Sequence, residues 1–447
     1  MSLRRVVWLA VILIVMMAGA SSAPPQSVSA SAFAQSAPAD KQPAASYTGP
    51  GSCAASSCHG SVRPVAGSRI LQTEYTTWVV QDKHARATEV LSNPVSLRMA
   101  KILGLGRPGS EQKCLACHAL DAPTKQRANS YSAEGVSCEA CHGPASGWLG
   151  AHTTRGWTHA QSVALGMHDT KDLVVRTEKC ASCHIGGADK SVDHEMIAAG
   201  HPDLVFDLEA FSAAMPRHWR NEDPWRNVRA WSVGQIVQLR EGLDRLAQRS
   251  KAGAWPEYAE LDCFSCHHSL TRADNSWRQE MGYGGRRPGN APWNHARFAV
   301  ARQVARVSDP ATADTIDAQV QSLAAEVSKL QSDRSRIVAA TVSLQVSLDV
   351  LSRRLSTAQI DRARTIQYVR ALAEDADGIA NGGERSAEQA AMSLETLMGA
   401  LSQNKAIDQA AARAALDRLF QQLENPSGYD PRRFAPLLRR MTDLLPR

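Results

Sequence analysis

The segments CLACH (114–118), CEACH (138–142), CASCH (180–184) and CFSCH (263–267) each place two thiols three positions apart, with an imidazole beside the second. That spacing suits covalent haem attachment. Two thiols reach the two vinyl groups on one porphyrin edge and close thioethers. The adjacent histidine then reaches under the ring and ligates the iron. Cysteines three apart sit on one turn of helix, so both sulfurs face the same way. A fifth unit departs from the rule. In GSCAASSCHG (51–60) the Cys58-His59 step is intact, but Cys53 lies five positions back. Cys53 and Cys58 read as a fifth attachment site whose extra residues, 54–57, loop outward. A Cys53–Cys58 disulfide is the alternative.

The ten cysteines thus fall at 53/58, 114/117, 138/141, 180/183 and 263/266, and the second of each pair precedes His59, His118, His142, His184 or His267. Zinc explains this less well. A structural zinc takes four ligands, hence pairs of pairs, and five pairs do not divide evenly. Nor does zinc ask for histidine after every second cysteine. A thioredoxin-like motif occurs once, near a strand–helix unit, and disulfides in such short loops are strained. The implied cofactor is haem c, five per chain, with iron held by the five histidines.

Nine histidines remain for the opposite faces of these irons. His84, His152, His194, His201 and His218 are the candidates, since a sixth ligand is usually His or Met. His84 follows the amphipathic stretch EYTTWVVQDK. His152, ten residues after His142, is too near to cap that iron without a tight loop and suits a neighbouring site. His194 and His201 are seven apart, nearly two helical turns or about 10 Å, and can serve two adjacent sites. Gly200 and Pro202 end the helix near His201, the stronger ligand of the two; the other can hydrogen-bond a propionate. His159, His168 and His295 read as surface residues, and His268 must point away from its neighbour's iron. Asp193 and Glu195 flank His194, but nothing supports a general-acid role, and no catalytic residue is assigned.

These residues need elements to hold them. Arg4 and Arg5 precede the apolar run 6–20, shorter than the ~20 residues of a membrane helix. Residues 1–34 read as a secretory signal peptide, with an uncleaved anchor as the alternative. Residues 35–47 read as a flexible linker, 48–295 as a pentahaem domain and 296–447 as a helical bundle. In the bundle, Ile316, Val320, Leu323, Val327 and Leu330, then Ile337, Thr341, Leu344, Leu348, Leu351 and Leu355, keep a four–three step. That spacing predicts a coiled coil or an antiparallel hairpin. Further helices are predicted at 357–376, 385–402, 407–423 and 432–444. The bundle is expected to cap the haem region, dispensable for haem attachment but needed for stability; a dimerisation or docking arm is the other use of such a stripe.

YTGPGSCAASSCHGS, QDKHARATEVL, KCLACHAL, GVSCEACHGPASGWLGAH, KCASCHIG, VDHEMIAAGHPDLVFDLEAF, MPRHW and LDCFSCHHSL carry a resemblance. Over about residues 47–295 the chain resembles the multihaem c-type cytochromes related to the tetrahaem nitrification carrier (cytochrome c-554-like). The resemblance implies closely packed bis-histidine haems, with one five-coordinate in some members, and a distal ligand at the HARA position, His84. Five units instead of four prevent copying the haem order.

The expected fold is mostly α with little sheet, and the expected function is extracytoplasmic, periplasmic electron transfer between redox partner proteins, membrane-associated ones included. Two rivals stand beside it. One is a haem enzyme with one open-coordination haem acting on a small nitrogen or sulfur compound; the other is a structural or docking subunit of a respiratory complex, with a homo-oligomer formed through the C-terminal helices. The formal charge of +6, from 50 basic and 44 acidic residues, is spread along the chain and gives no nucleic-acid patch.

Overall fold

Aspartate punctuates this chain. In the computed structural model, Asp172, Asp193, Asp207, Asp309, Asp333, Asp361, Asp408 and Asp430 each accept backbone N–H groups at the first turn of a helix. A carboxylate there satisfies orphan donors and complements the helix dipole. The structure describes residues 45–446, apart from 69, 121, 130–133, 188, 221–222, 253–254 and 268–290. The predicted signal peptide, most of the linker and His268 lie outside the described residues.

Among the described residues the fold is helical, without strands. The first part carries short helices: α1 (Glu74–Gln81), α2 (Pro94–Ile102), α3 (Gln112–His118), α4 (Cys138–His142), α5 (His159–Ala164), α6 (Leu173–His184), α7 (His194–Ala199) and α8 (Leu208–Ala214). Then come α9 (Arg226–Lys251), α10 (Ala296–Ser308), α11 (Pro310–Val327), α12 (Arg334–Ser356), α13 (Arg362–Glu374), α14 (Ala376–Asn381), α15 (Glu384–Gln403), α16 (Gln409–Gln421) and α17 (Pro431–Arg439). No described helix is long and apolar enough to cross a membrane.

The four–three stripe is buried at every position from Ile316 to Leu355 except Leu330, which is 80% exposed. Leu330 sits in the turn between α11 and α12, so the stripe is a helical hairpin whose second arm lies along α9. The outer face of α12 leaves Val342, Val346 and Val350 exposed.

The long helix α9 is the centre of the molecule. It packs against α6, α8, α10, α12 and α15 and is buried nearly all round over its first half. A single apolar core runs from Leu173 through Trp231, Leu243, Val304, Leu348 and Leu394 to Met441. It crosses position 295 without a break. Several polar side chains inside it are paired with one another, which offsets the cost of burying them. Gln235 donates to Asp207 at 2.5 Å, and Gln238 donates to Gln235 and Gln389 at 2.7 and 3.0 Å. Burial pushes the Asp207 carboxyl up to about 6.

A buried ionic knot ties this core to the attachment units. Glu260 accepts from Arg245 Nε and Nη2 at 2.8 and 3.0 Å and from Arg249 Nη1 at 2.6 Å. The same arginines donate to Ile185 O, just past CASCH, and to Val192 O, just before α7, each at 2.8 Å. One carboxylate, three residues ahead of Cys263, thereby fixes the backbone around two attachment units and the start of α7.

Candidate functional site

Backbone geometry sets each Cys-His unit. CLACH ends α3, CEACH makes up α4 and CASCH ends α6, so the two sulfurs share a helical turn. CFSCH begins on a 3-10 turn, Cys263–Ser265, where Asp262 accepts from Ser265 N–H at 3.0 Å. In the long-spaced unit, Cys58 N–H donates to Ala55 O at 2.8 Å and His59 N–H to Cys53 O at 3.3 Å. Ala55, Ser56 and Ser57 are exposed, while Cys53, Cys58 and His59 are half-buried. The extra residues bulge outward. Gly60 makes the bulge possible, because a β-carbon there would lie 1.8 Å from Ala54 O. All ten cysteines are free thiols.

Four histidines of these units each face a histidine from elsewhere. Ring centroids are 6.2 Å apart for His59 and His152, 6.1 Å for His184 and His84, 6.5 Å for His118 and His201, and 6.2 Å for His267 and His194. An iron between two imidazole nitrogens at about 2.0 Å each, with each centroid about 1.1 Å behind its nitrogen, puts the centroids about 6 Å apart. An iron ligated by both rings would span that gap. His194 and His201 both take part, each with a different partner. Gly200, at φ 118°, ends α7 and turns His201 out of the helix.

Second contacts orient the rings. A ligating imidazole needs its other nitrogen held, which fixes the tautomer. His59 Nδ1 donates to Glu74 at 3.0 Å and His84 Nδ1 to Asp82 at 2.9 Å. His118, His152 and His201 donate from Nδ1 to the carbonyls of Ala87, Trp148 and Pro202 at 3.0, 3.1 and 2.8 Å. A carboxylate or carbonyl has no proton to give, so a proton sits on Nδ1, and in the neutral ring Nε2 is the nitrogen that carries the lone pair. Burial holds His184 down to about 4, so its ring is neutral at physiological pH, as a metal ligand must be.

His142 differs. Burial pushes it down to about 4 as well, and the charges of His218 and His59 act in the same direction. Among the described residues no imidazole stands opposite it at the separation of the four pairs. His218 is near and half-buried, with its ring edge-on to Trp219. His168, read from sequence as a surface residue, lies against the Gly143 backbone, and its N–H donates to His142 O at 2.9 Å. His159 spends Nε2 on Asp169 at 2.7 Å, and His295 spends Nδ1 on Trp293 O at 3.1 Å.

The units are also neighbours of one another. The Cys53 thiol lies close to that of Cys138, and the Cys117 thiol close to that of Cys183. Cys141 lies within electrostatic reach of Cys180 and Cys183. Glu139, inside CEACH, is a brace that the sequence reading missed. Its buried carboxylate accepts from the N–H groups of Thr48, Gly49 and Ala145 at 2.7–3.0 Å, clamping the start of the long-spaced unit onto α4. The only sequence signal for it was an acid between two cysteines. Among the described residues no three His, Cys, Asp or Glu side chains converge as a zinc site requires.

Residues 52–143, which span the first three Cys-His units, match the family model described as cytochrome c554 and c-prime. The match supports a cytochrome c554-like relationship, and with it a c-type electron carrier and covalently bound haem c. No curated protein and no solved structure matches the chain.

Proposed function

Proceeding from this cytochrome c554-like relationship, we propose that the chain is an exported pentahaem electron carrier. The observation that carries this reading is the set of four imidazole pairs at one iron-sized separation. Bound haem supplies a one-electron iron couple at each site. The chain's own residues hold and insulate it. Cys53 and Cys58, Cys114 and Cys117, Cys138 and Cys141, Cys180 and Cys183, and Cys263 and Cys266 form the thioethers. His59 with His152, His118 with His201, His184 with His84 and His267 with His194 hold four irons on both faces, and His142 holds the fifth with His218 nearby.

The contacts between units support an order of sites that is not the order in sequence. The His59 site adjoins the His142 site through Cys53 and Cys138. The His142 site adjoins the His184 site through Cys141 and Cys183. The His184 site adjoins the His118 site through Cys117 and Cys183. Helix α7, carrying His194 and leading into His201, joins the His118 site to the His267 site. On this reading electrons enter and leave at the His59 and His267 ends. The leader-like N-terminus supports an extracytoplasmic location, and the partners are other redox proteins.

The ligand assignment has a direct test. His84→Ala is expected to convert one low-spin haem to high-spin and open it to carbon monoxide, and His152→Ala, His194→Ala and His201→Ala to do the same at their own sites. His159→Ala is expected to leave the spectrum unchanged. Full low-spin intensity in His84→Ala would remove the basis for all four pairs. The enzyme reading keeps one support, the missing partner opposite His142 among the described residues. A high-spin ferric signal in the unaltered protein that responds to small nitrogen or sulfur ligands would favour it.

A further inference from the structure

The histidines whose Nδ1 contact is seen are not held alike. His118, His152 and His201 donate to neutral backbone carbonyls. His59 and His84 donate to carboxylates. Both carboxylates are fixed. Asp82 is 5% exposed, and its Oδ1 accepts both the ring N–H and the backbone N–H of His84 at 2.9 Å. Glu74 opens α1 and accepts from Leu71 N–H with one oxygen at 2.8 Å and from His59 with the other.

The difference has an electronic consequence. A carboxylate that accepts the Nδ1 proton draws it off the ring and makes Nε2 a stronger donor. A charge-assisted hydrogen bond does this about twice as strongly as one to a neutral carbonyl. A more basic axial nitrogen favours the ferric over the ferrous state, as does a fixed negative charge beside it. Adding an electron to such a site requires no proton movement, so the effect is on potential alone.

We propose, resting on the ligand reading above, that Glu74 and Asp82 are positioning residues that hold the His59 and His184 sites at lower reduction potential than the sites anchored on carbonyls. These two sites flank the His142 site in the proposed order. An electron entering the row therefore settles on either side of them, at His142 or toward His118, and the two carboxylate-tuned sites act as steps between.

The test uses full-length holoprotein carrying Asp82→Asn. Asparagine keeps Oδ1 in place as acceptor for both His84 groups and as a turn cap, so it removes the charge and not the brace. Glu74→Gln is the second variant, and Asp82→Glu is the rescue. Attached haem is first confirmed by intact mass, and low-spin content by electron paramagnetic resonance. Potentials then come from a spectroelectrochemical titration with dithionite as reductant. In Asp82→Asn one of the five steps is expected to move up, with about a tenfold change in the oxidised-to-reduced ratio of that site at fixed potential. Its low-spin signal should persist with a shifted g-tensor, and Asp82→Glu should restore the potential. Unmoved potentials in both neutral variants, with all low-spin signals retained, would overturn the proposal. So would loss of the low-spin signal in Asp82→Asn, which would make Asp82 a structural brace only. A low-spin spectrum that survives His84→Ala in full would sink the ligand reading itself, and this proposal with it.

Discussion

A chain ending at Trp293 is expected not to fold to a soluble, haem-loaded protein. Read from sequence, the bundle beyond 295 is a cap that the haem region can lose while keeping its haems. The structure gives it a larger role. Helix α9 belongs to the first part of the chain, but α10, α12 and α15 cover much of its surface. Trp231 rests on Tyr368 at 5.0 Å between ring centroids, Gln238 donates to Gln389 at 3.0 Å, and Arg240 donates to Asp349 at 2.8 Å. Burying one large apolar side chain contributes about 1.5–3 kcal/mol. Uncovering five or six costs about 8–18 kcal/mol, comparable to the whole stability of a typical domain. Export of the truncated chain should yield aggregated or degraded, haem-poor protein. A soluble product with full haem content and unchanged thermal stability would show that the core can be divided at 295.

The second large effect is expected at Glu260. Glu260→Gln keeps the shape and removes the charge between Arg245 and Arg249, whose side chains are only 9% and 12% exposed. Removing one partner of a buried ion pair costs about 3–5 kcal/mol, because the remaining charge has no counterion. Chemical denaturation should show a loss of that order, and the His184 and His267 sites should lose definition first, since the knot pins Ile185, Val192 and the 260–263 segment. Burial works to raise the Glu260 carboxyl, but the charge and hydrogen bonds of Arg245 hold it below its ordinary value. A carboxyl lowered on folding stabilises the fold above its unfolded pKa of about 4.3 and loses that contribution as pH falls through the folded value. The gap between the unaltered protein and Glu260→Gln should therefore be full near neutrality and close below about pH 4. A variant within 1 kcal/mol of the unaltered protein, by the ~1 kcal/mol scale of ordinary surface changes, would mean that the knot adds little.

The attachment units were legible because their chemistry is local: a covalent bridge fixes the spacing of two sulfurs and one imidazole within a few residues. The distal candidates were chosen by the same chemistry, since five irons demand partners, and four of them, His84, His152, His194 and His201, lie opposite a unit histidine. Which imidazole faces which unit was not legible. His59 and His152 are 93 positions apart in the chain, and only the packing of α3, α6 and α7 decides such pairings. The sequence ranked His201 above His194 as a ligand; in the structure both face a unit histidine, His118 and His267 respectively, with the turn at Gly200 between them. The hairpin stripe was readable from its four–three step, although its turn falls at 328–333. The α13 helix starts at Arg362 instead of 357, because Asp361 caps it. Helix α9 went unread altogether. With Ser232, Gln235 and Gln238 buried beside Trp231 and Ile236, its first half shows no polar face for periodicity to reveal.

The central claim is that five Cys-His units, the long-spaced one included, each hold a haem. Intact mass spectrometry of the mature protein, with peptide mapping of residues 47–63, tests it most directly. The expected result is the mature polypeptide mass plus five haem masses, with one haem on the peptide containing Cys53 and Cys58. A mass excess of four haems, with that peptide unmodified or disulfide-linked, would contradict it.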